Sequence, residues 1–261
     1  MKLQFFKYQG AGNDFILVDN RKTGFNHQQP KVLAALCDRR FGIGADGIMF
    51  LQTAEGFDFE MVYYNADGNP STMCGNGGRC IVGFAKFLGL IEKETNFLAV
   101  DGWHYAKISE AGDWVSLRMI DVKQIEEIDG DYVLNTGSPH YVKSTVDLSM
   151  KDVYSEGKAI RNQDNFKSEG INVNFVEDFG DHLFVRTYER GVENETFACG
   201  TGVTAVALAL AKRKNHTGEN NTRIKVLGGD LTIRFNYDGK AFNNIFLDGP
   251  AKYVFEGQID I

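Results

Sequence analysis

Two copies of one short motif constrain this chain more than any other feature. Cys74-Gly75-Asn76-Gly77 and Cys199-Gly200-Thr201-Gly202 each precede a run of helical character, 78–86 and 203–212. With four cysteines and 29 glycines among 261 residues, chance supplies only about 0.05 matches to Cys-Gly-x-Gly, so two in equivalent places mark an internal repeat. The repeat extends upstream. Gly12 precedes Cys74 by the same 62 residues that separate Gly137 from Cys199, and Asn13-Asp14-Phe15-Ile16 loosely matches Ser138-Pro139-His140-Tyr141. Tyr64-Asn65 and Tyr188-Glu189 then precede their cysteines at matching distances of nine and ten residues.

Alternating runs at 57–64, 115–120, 183–188 and 231–237 lie between turn signals and read as strands. Three helices are expected. One spans 30–40, with Pro30 at a first helical position and Gly42 beyond its end; the others span 74–88, stopped by Gly89, and 199–214, with Lys212, Arg213 and Lys214 at the negative end of its dipole. The expected fold is therefore α+β. Two pseudo-symmetric halves each wrap a mostly antiparallel, strand-rich sheet or barrel around a central helix, and the site lies in the cleft between them. The first half is 1–120 and carries Cys74; the second is 130–249 and carries Cys199. They join in the acidic stretch 121–131. The last strand, about 250–261, has the option of either half, a return to the first included.

Composition removes several classes of function. Twenty-eight basic and 35 acidic side chains give a net charge of −7, and no segment gathers the Lys and Arg needed to neutralise a run of phosphates, so no nucleic-acid partner is expected. The longest apolar stretch, 203–211, falls far short of the roughly 20 residues of a membrane span. The start of the chain, with Lys2 and Lys7, lacks the apolar core of a secretion signal, which makes a cytoplasmic location the expectation. There is no Cys-x₂-Cys and no His-x₃-His for zinc or dithiol redox chemistry. The glycine run Gly42-Ile43-Gly44-Ala45-Asp46-Gly47 follows a helix and enters a strand, the reverse of a dinucleotide site.

A cysteine at the start of a helix sits where free N–H groups and a partial positive charge favour anions and lower a thiol pKa. Two such places facing each other across a cleft suit stereoinversion of a small carboxylate. One sulfur, as thiolate, takes a proton from carbon, and the other, as thiol, returns one to the opposite face. Charge developing on the carboxylate meets preorganised N–H donors, so neither cofactor nor metal is required. One proton is then shared between the sulfurs, and their titrations are coupled. Either cysteine alone reads as a small buried residue in a tight turn. Cys37 and Cys80 keep that reading, as core residues on their helices.

These residues, with Gly10-Ala11-Gly12-Asn13-Asp14-Phe15, Asn65-Ala66-Asp67-Gly68, Met73 to Cys80, Tyr188-Glu189-Arg190-Gly191 and Ala198 to Gly202, closely resemble the diaminopimelate epimerase family over nearly the whole chain. Gly228-Gly229, Asp248-Gly249-Pro250 and Val254-Phe255 continue the likeness. The resemblance implies interconversion of LL- and meso-2,6-diaminoheptanedioate without pyridoxal phosphate or metal, feeding lysine and peptidoglycan synthesis, in a homodimer. It implies that Cys74 and Cys199 are the catalytic pair and that main-chain donors at Gly75, Asn76, Gly200 and Thr201 hold the α-carboxylate. Asn13, Asn65, Asn172, Glu189 and Arg190 are implied in recognising the distal amino and carboxylate groups. His140 and Glu189 are implied in relaying protons to or from the thiols.

Turn chemistry alone accounts equally for Asn65 in its Asn-x-Asp-Gly setting. Two departures concern the distal end: Ser138 stands where many members carry Asn, and the run 191–198 is one residue longer than the commoner form. Other readings are a proline racemase-like enzyme, disfavoured by Asn76 where that group usually has His, a PhzF-like isomerase, disfavoured by the paired cysteines, and a binding protein that holds a small dianion without turning it over.

Overall fold

The computed structural model describes residues 2–261; Met1, the start of the expected first half, lies outside them. The described residues divide into two compact units, 2–117 with Gly249–Ile261, and Arg118–Asp248.

In the first unit the order is β1 (Lys2–Gly10), β2 (Asn13–Asp19), α1 (Pro30–Cys37), β3 (Gly47–Gln52), β4 (Phe59–Asn65), α2 (Gly75–Phe87), β5 (Glu94–Ala99), β6 (Gly102–Ile108) and β7 (Trp114–Arg118). β1 and β2 form an antiparallel hairpin whose two-residue turn, Ala11 and Gly12, has positive φ at both positions, as a type I′ turn requires. β2 then runs parallel to β3, β3 antiparallel to β4, β4 parallel to β5, and β5–β6–β7 form an antiparallel meander.

The second unit repeats this plan. It contains β8 (Ile125–Ile128), β9 (Asp131–Asn135), β10 (Pro139–Ser144), α3 (Val153–Arg161), β11 (Asn172–Asp178), β12 (Leu183–Glu189), β13 (Asn194–Thr196), α4 (Gly200–Arg213), β14 (Gly218–Val226), β15 (Gly229–Tyr237) and β16 (Phe242–Pro250). β9 is antiparallel to β10, β10 parallel to β11, β11 antiparallel to β12, β12 parallel to β14, and β14–β15–β16 antiparallel. In the first unit β1 is flanked by the last strand, β17 (Lys252–Asp260), and in the second the equivalent β9 is flanked by β8. The expected α+β class and the mostly antiparallel sheet around a central helix are both present, with two parallel pairs in each unit.

Each sheet is covered on both faces, so its inner strands are near-continuous apolar runs such as 15–18 and 48–51. In the first unit Ile16, Val18, Ile48 and Phe50 point to a core completed by Leu33 and Leu36 of α1. In the second, Tyr141, Val173, Phe175 and Tyr188 pack against Val153 and Ile160 of α3. The opposite faces hold α2 and α4, buried all round from Gly75 to Ala85 and from Gly202 to Ala211, as helices inside a core must be.

Two expectations on helices need correction. The first helix ends at Cys37, not at residue 40. Asp38 turns to extended backbone, its carboxylate accepts the Arg40 and Phe41 N–H groups, and Ile43, Gly44 and Ala45 take over the last helical carbonyls. α3 was not foreseen. It is capped by Asp152 accepting from Ser155 N–H at 3.0 Å, and carries Gly157 in its interior because a Cβ there would stand 2.4 Å from that of Tyr188.

The central helices approach their sheets most closely at the third residue after each cysteine. A Cβ on Gly77 would lie 2.1 Å from Met49 Cε, the free end of a flexible side chain, whereas one on Gly202 would lie 2.3 Å from Asn174 Oδ1, which is held by a hydrogen bond from Thr187. Gly202→Ala is therefore expected to destabilise the protein by about 1–3 kcal/mol and Gly77→Ala by less, as read by urea denaturation; the reverse order would contradict this packing.

Candidate active site

Cys74 and Cys199 occupy the same place in their units, the N-cap of the central helix, with extended backbone at φ −112°, ψ 126° and φ −118°, ψ 110°. Their carbonyls accept the first helical bonds, from Gly78 N–H at 2.7 Å and Val203 N–H at 2.9 Å. Neither helix has a side-chain cap or an acidic residue in its first turn. The N–H groups of Gly75 and Asn76, and of Gly200 and Thr201, lie in these first turns, where a helix has donors with no partner of its own and favours an anion. Cys199 is buried and Cys74 partly so, while Cys37 and Cys80 are enclosed in the core. Burial pushes the thiols of Cys37 and Cys80 up to about 12, which keeps both protonated.

In the first unit the hairpin turn delivers Asn13 to Cys74. The amide is oriented: Asn13 Nδ2 donates to Asp46 Oδ2 at 2.5 Å, leaving Oδ1 to accept from Asn76 Nδ2 at 3.3 Å and from the Cys74 thiol at 3.7 Å. Asp46 is held in turn by Arg39 Nη2 at 2.7 Å, and the same guanidinium grips Asp14 through two bonds of 2.6 and 3.0 Å. The buried Lys7 ammonium reaches Asp14 at 2.6 Å and also donates to Gly44 O. Burial draws the Asp14 carboxyl upward, but the hydrogen bonds from Arg39 and Lys7 outweigh it and hold it down at about 2. Arg79, fully buried, donates to Asn76 Oδ1 at 2.9 Å, to Gly75 O and to Pro250 O, fixing the first turn of α2. Asn65 is exposed at the end of β4, where its carbonyl accepts from Gly68 N–H at 2.9 Å in the foreseen turn.

In the second unit Cys199 Sγ lies 3.5 Å from Thr201 Oγ1, and the Thr201 carbonyl accepts from Thr136 Oγ1 at 2.8 Å. Ser138, Asn172 and Arg190 form one group. Asn172 Nδ2 donates to Ser138 Oγ at 2.9 Å and Pro139 O at 3.1 Å, and its Oδ1 accepts from Arg190 N–H at 2.9 Å. The Arg190 guanidinium donates to Glu169 O at 3.1 Å and Ser138 Oγ at 3.3 Å. Asn172 thus frames Arg190. Glu189 Oε2 accepts from Thr196 Oγ1 at 2.9 Å. His140 is buried, with Nδ1 3.1 Å from Asn174 Nδ2. Burial, and then the charge of Arg190, push its pKa down to about 3, so the ring is neutral at physiological pH.

Sequence reading missed Arg39, Asp46, Asn174 and Thr187. Asp46 stood in the glycine run that was weighed only as a dinucleotide motif. Asn174 and Thr187 sit at helix-facing strand positions that look like ordinary core sites.

The sequence profile described as diaminopimelate epimerase matches residues 5–123 and 132–254. This chain belongs to the diaminopimelate epimerase family. It is 51% identical to the diaminopimelate epimerase of Flavobacterium psychrophilum, with 98% of this chain and all of that protein aligned. Identity to the enzyme of Chlorobaculum tepidum is 42%, over 97% and 99% of the two chains. Similar solved structures are a Bacillus anthracis phenazine biosynthesis protein of the PhzF family, at TM-score 0.78, 16% identity and full coverage of both chains, and a probable proline racemase from Agrobacterium radiobacter, at TM-score 0.70, 14% identity and 99% and 93% coverage. At such identities the last two share the fold alone.

Loss of the Asp14 charge tests the lattice behind Asn13. Because the folded carboxyl is held low, its contribution to stability is whole above the unfolded value of about 4 and is lost as pH falls toward 2. Asp14→Asn should cost about 2 kcal/mol at neutral pH, water screening at the exposed Arg39 reducing the penalty of stranding Lys7. It should also flatten the pH dependence of urea unfolding between about 4 and 2; an unchanged pH profile would contradict the assignment.

Proposed function

We propose that this chain interconverts LL- and meso-2,6-diaminoheptanedioate, with Cys74 and Cys199 as paired acid and base and no cofactor. The observation that carries the reading is the placement of one cysteine at the N-cap of the central helix in each of two equivalent units of a chain from this family. Starting from one stereoisomer, the thiolate of one cysteine takes the α-proton and becomes a thiol. The electron pair left on carbon delocalises onto the α-carboxylate, and first-turn N–H groups of Gly75, Asn76, Gly200 and Thr201 stabilise it. The thiol of the other cysteine then donates its proton to the opposite face and becomes the thiolate, so the protein ends with one proton on the pair, as it began.

The distal end of the substrate carries a carboxylate and an ammonium. The Arg190 guanidinium, steadied by Ser138 and Glu169, suits the first, and the Glu189 carboxylate suits the second. Asn13 and Asn65 belong to the same recognition from the first unit, and Asn172 contributes by fixing Arg190. Glu189 supports the proton movements at sulfur, and the neutral His140 ring supports the negative charge that they leave. The chain is read as a cytoplasmic homodimer in lysine and peptidoglycan precursor synthesis, a reading favoured by a chemistry that needs free thiols and hence reducing surroundings.

The test is proton NMR of LL-diaminopimelate in D₂O with chelated, reduced protein. The α-proton signal should fade as the meso form appears, and Cys74→Ala and Cys199→Ala should each lower kcat by about 10²–10⁴-fold or more. No exchange by the wild-type protein would overturn the substrate assignment. Full activity in either variant would overturn the paired mechanism.

A further inference from the structure

The pairing registers match the two units strand for strand, so each helix-facing residue of one sheet has a counterpart in the other. Phe15 pairs with Gly47 as His140 pairs with Asn172, and Met49 pairs with Tyr63 as Asn174 pairs with Thr187. Under the first turn of α2 the layer is Phe15, Met49 and Tyr63, with Phe15 and Tyr63 packed edge to face. Under α4 the same three positions hold His140, Asn174 and Thr187, all buried. The first unit builds this layer from phenylalanine, methionine and tyrosine, so the fold alone does not call for a histidine and an asparagine at the first two positions; buried polar groups cost stability unless they are hydrogen-bonded.

The hydrogen bonds fix the state of the imidazole. Asn174 Nδ2 donates to Tyr141 O at 3.0 Å, and since a carbonyl only accepts, the amide cannot be turned the other way. Thr187 Oγ1 donates to Asn174 Oδ1 at 3.0 Å and completes the clamp. The same Nδ2 faces His140 Nδ1 at 3.1 Å, which therefore presents its lone pair. The proton of the neutral ring is on Nε2. That nitrogen is buried and has no hydrogen-bond partner among the described residues. A protonated Nε2 has no lone pair with which to take a proton from a thiol, but it donates readily to an anion. The clamp also abuts the Cys199 turn, since a Cβ on Gly202 would lie 2.3 Å from Asn174 Oδ1 and 3.2 Å from Cys199 Cβ.

We propose that Asn174, oriented by Tyr141 O and Thr187, is a positioning residue that holds His140 as the neutral Nε2–H tautomer, making the ring a fixed hydrogen-bond donor to negative charge in the Cys199 half and not a base. The catalytic part of this inference rests on the epimerase reading above; the tautomer does not.

The experiment is a long-range proton–nitrogen NMR spectrum of ring-¹⁵N-histidine protein, free of substrate at neutral pH, with His140 assigned by the signal lost in His140→Gln. The expected result is a pyridine-type Nδ1 and a pyrrole-type Nε2. In Asn174→Asp an acceptor replaces the donor, so Nδ1 should gain a proton, and kcat should fall roughly 100-fold with little change in KM. Thr187→Val should lower kcat less, and Thr187→Ser should restore it. A protonated Nδ1 in the wild-type protein overturns the proposal and needs no variant to fold; so does an Asn174→Asp protein that keeps wild-type kcat. The predicted spectrum in a wild-type protein that leaves diaminopimelate unchanged would overturn the epimerase reading alone.

Discussion

A helix that begins inside a sheet-lined core brings its first N–H groups, and the positive end of its dipole, into surroundings where water screens them poorly. Here two helices do so, each with a cysteine at the N-cap whose side chain does not cap and with no acidic residue in the first turn. Most of the other local features serve that arrangement. Glycine at the third position lets each helix settle onto the strand below it, a two-residue turn brings Asn13 to one thiol, and Thr136 anchors the turn that carries the other. A thiol so placed is the group whose proton such a helix loosens.

The two units share a plan and differ in what they set around the sulfur. Cys74 faces the oxygen of an amide that Asp46, and behind it Arg39, hold in one orientation. Cys199 lies beside a hydroxyl, above a layer in which a neutral histidine and an asparagine replace the phenylalanine and methionine of the first unit. Inversion asks two equivalent groups to do opposite things in turn, and a duplicated scaffold with altered contacts fits that demand. The charges of Lys7, Asp14, Arg39 and Asp46 form a single lattice behind Asn13, so the orientation of that amide rests on a chain of ion pairs that reaches back to Lys7.

Much of this was legible in the sequence because glycine and cysteine carry local meaning. The Cys-Gly-x-Gly copies, the spacing from Gly12 and Gly137, the starts of α2 and α4 and the end of α2 follow from backbone requirements that few residues satisfy, and the end of α4 from the basic residues that meet its dipole. α3 was not legible: Gly157, required by contact with Tyr188, weakens the helical pattern by about 1 kcal/mol. The Asn174 clamp was not legible either, because its members come from three strands and each alone resembles a core position. Asp46 and Arg39 act through contacts 33 and 25 residues away in the chain, which no local pattern records.

The central claim, that two thiols serve opposite faces of one carbon, is tested most directly by where solvent deuterium first appears. LL-diaminopimelate is turned over briefly in D₂O, and the recovered LL and the new meso form are separated and analysed by mass spectrometry. Two bases predict deuterium at the inverted carbon of the meso product while the recovered LL form still carries protium. Deuterium entering both forms equally from the earliest times would mean that a single group serves both faces, and would contradict the account.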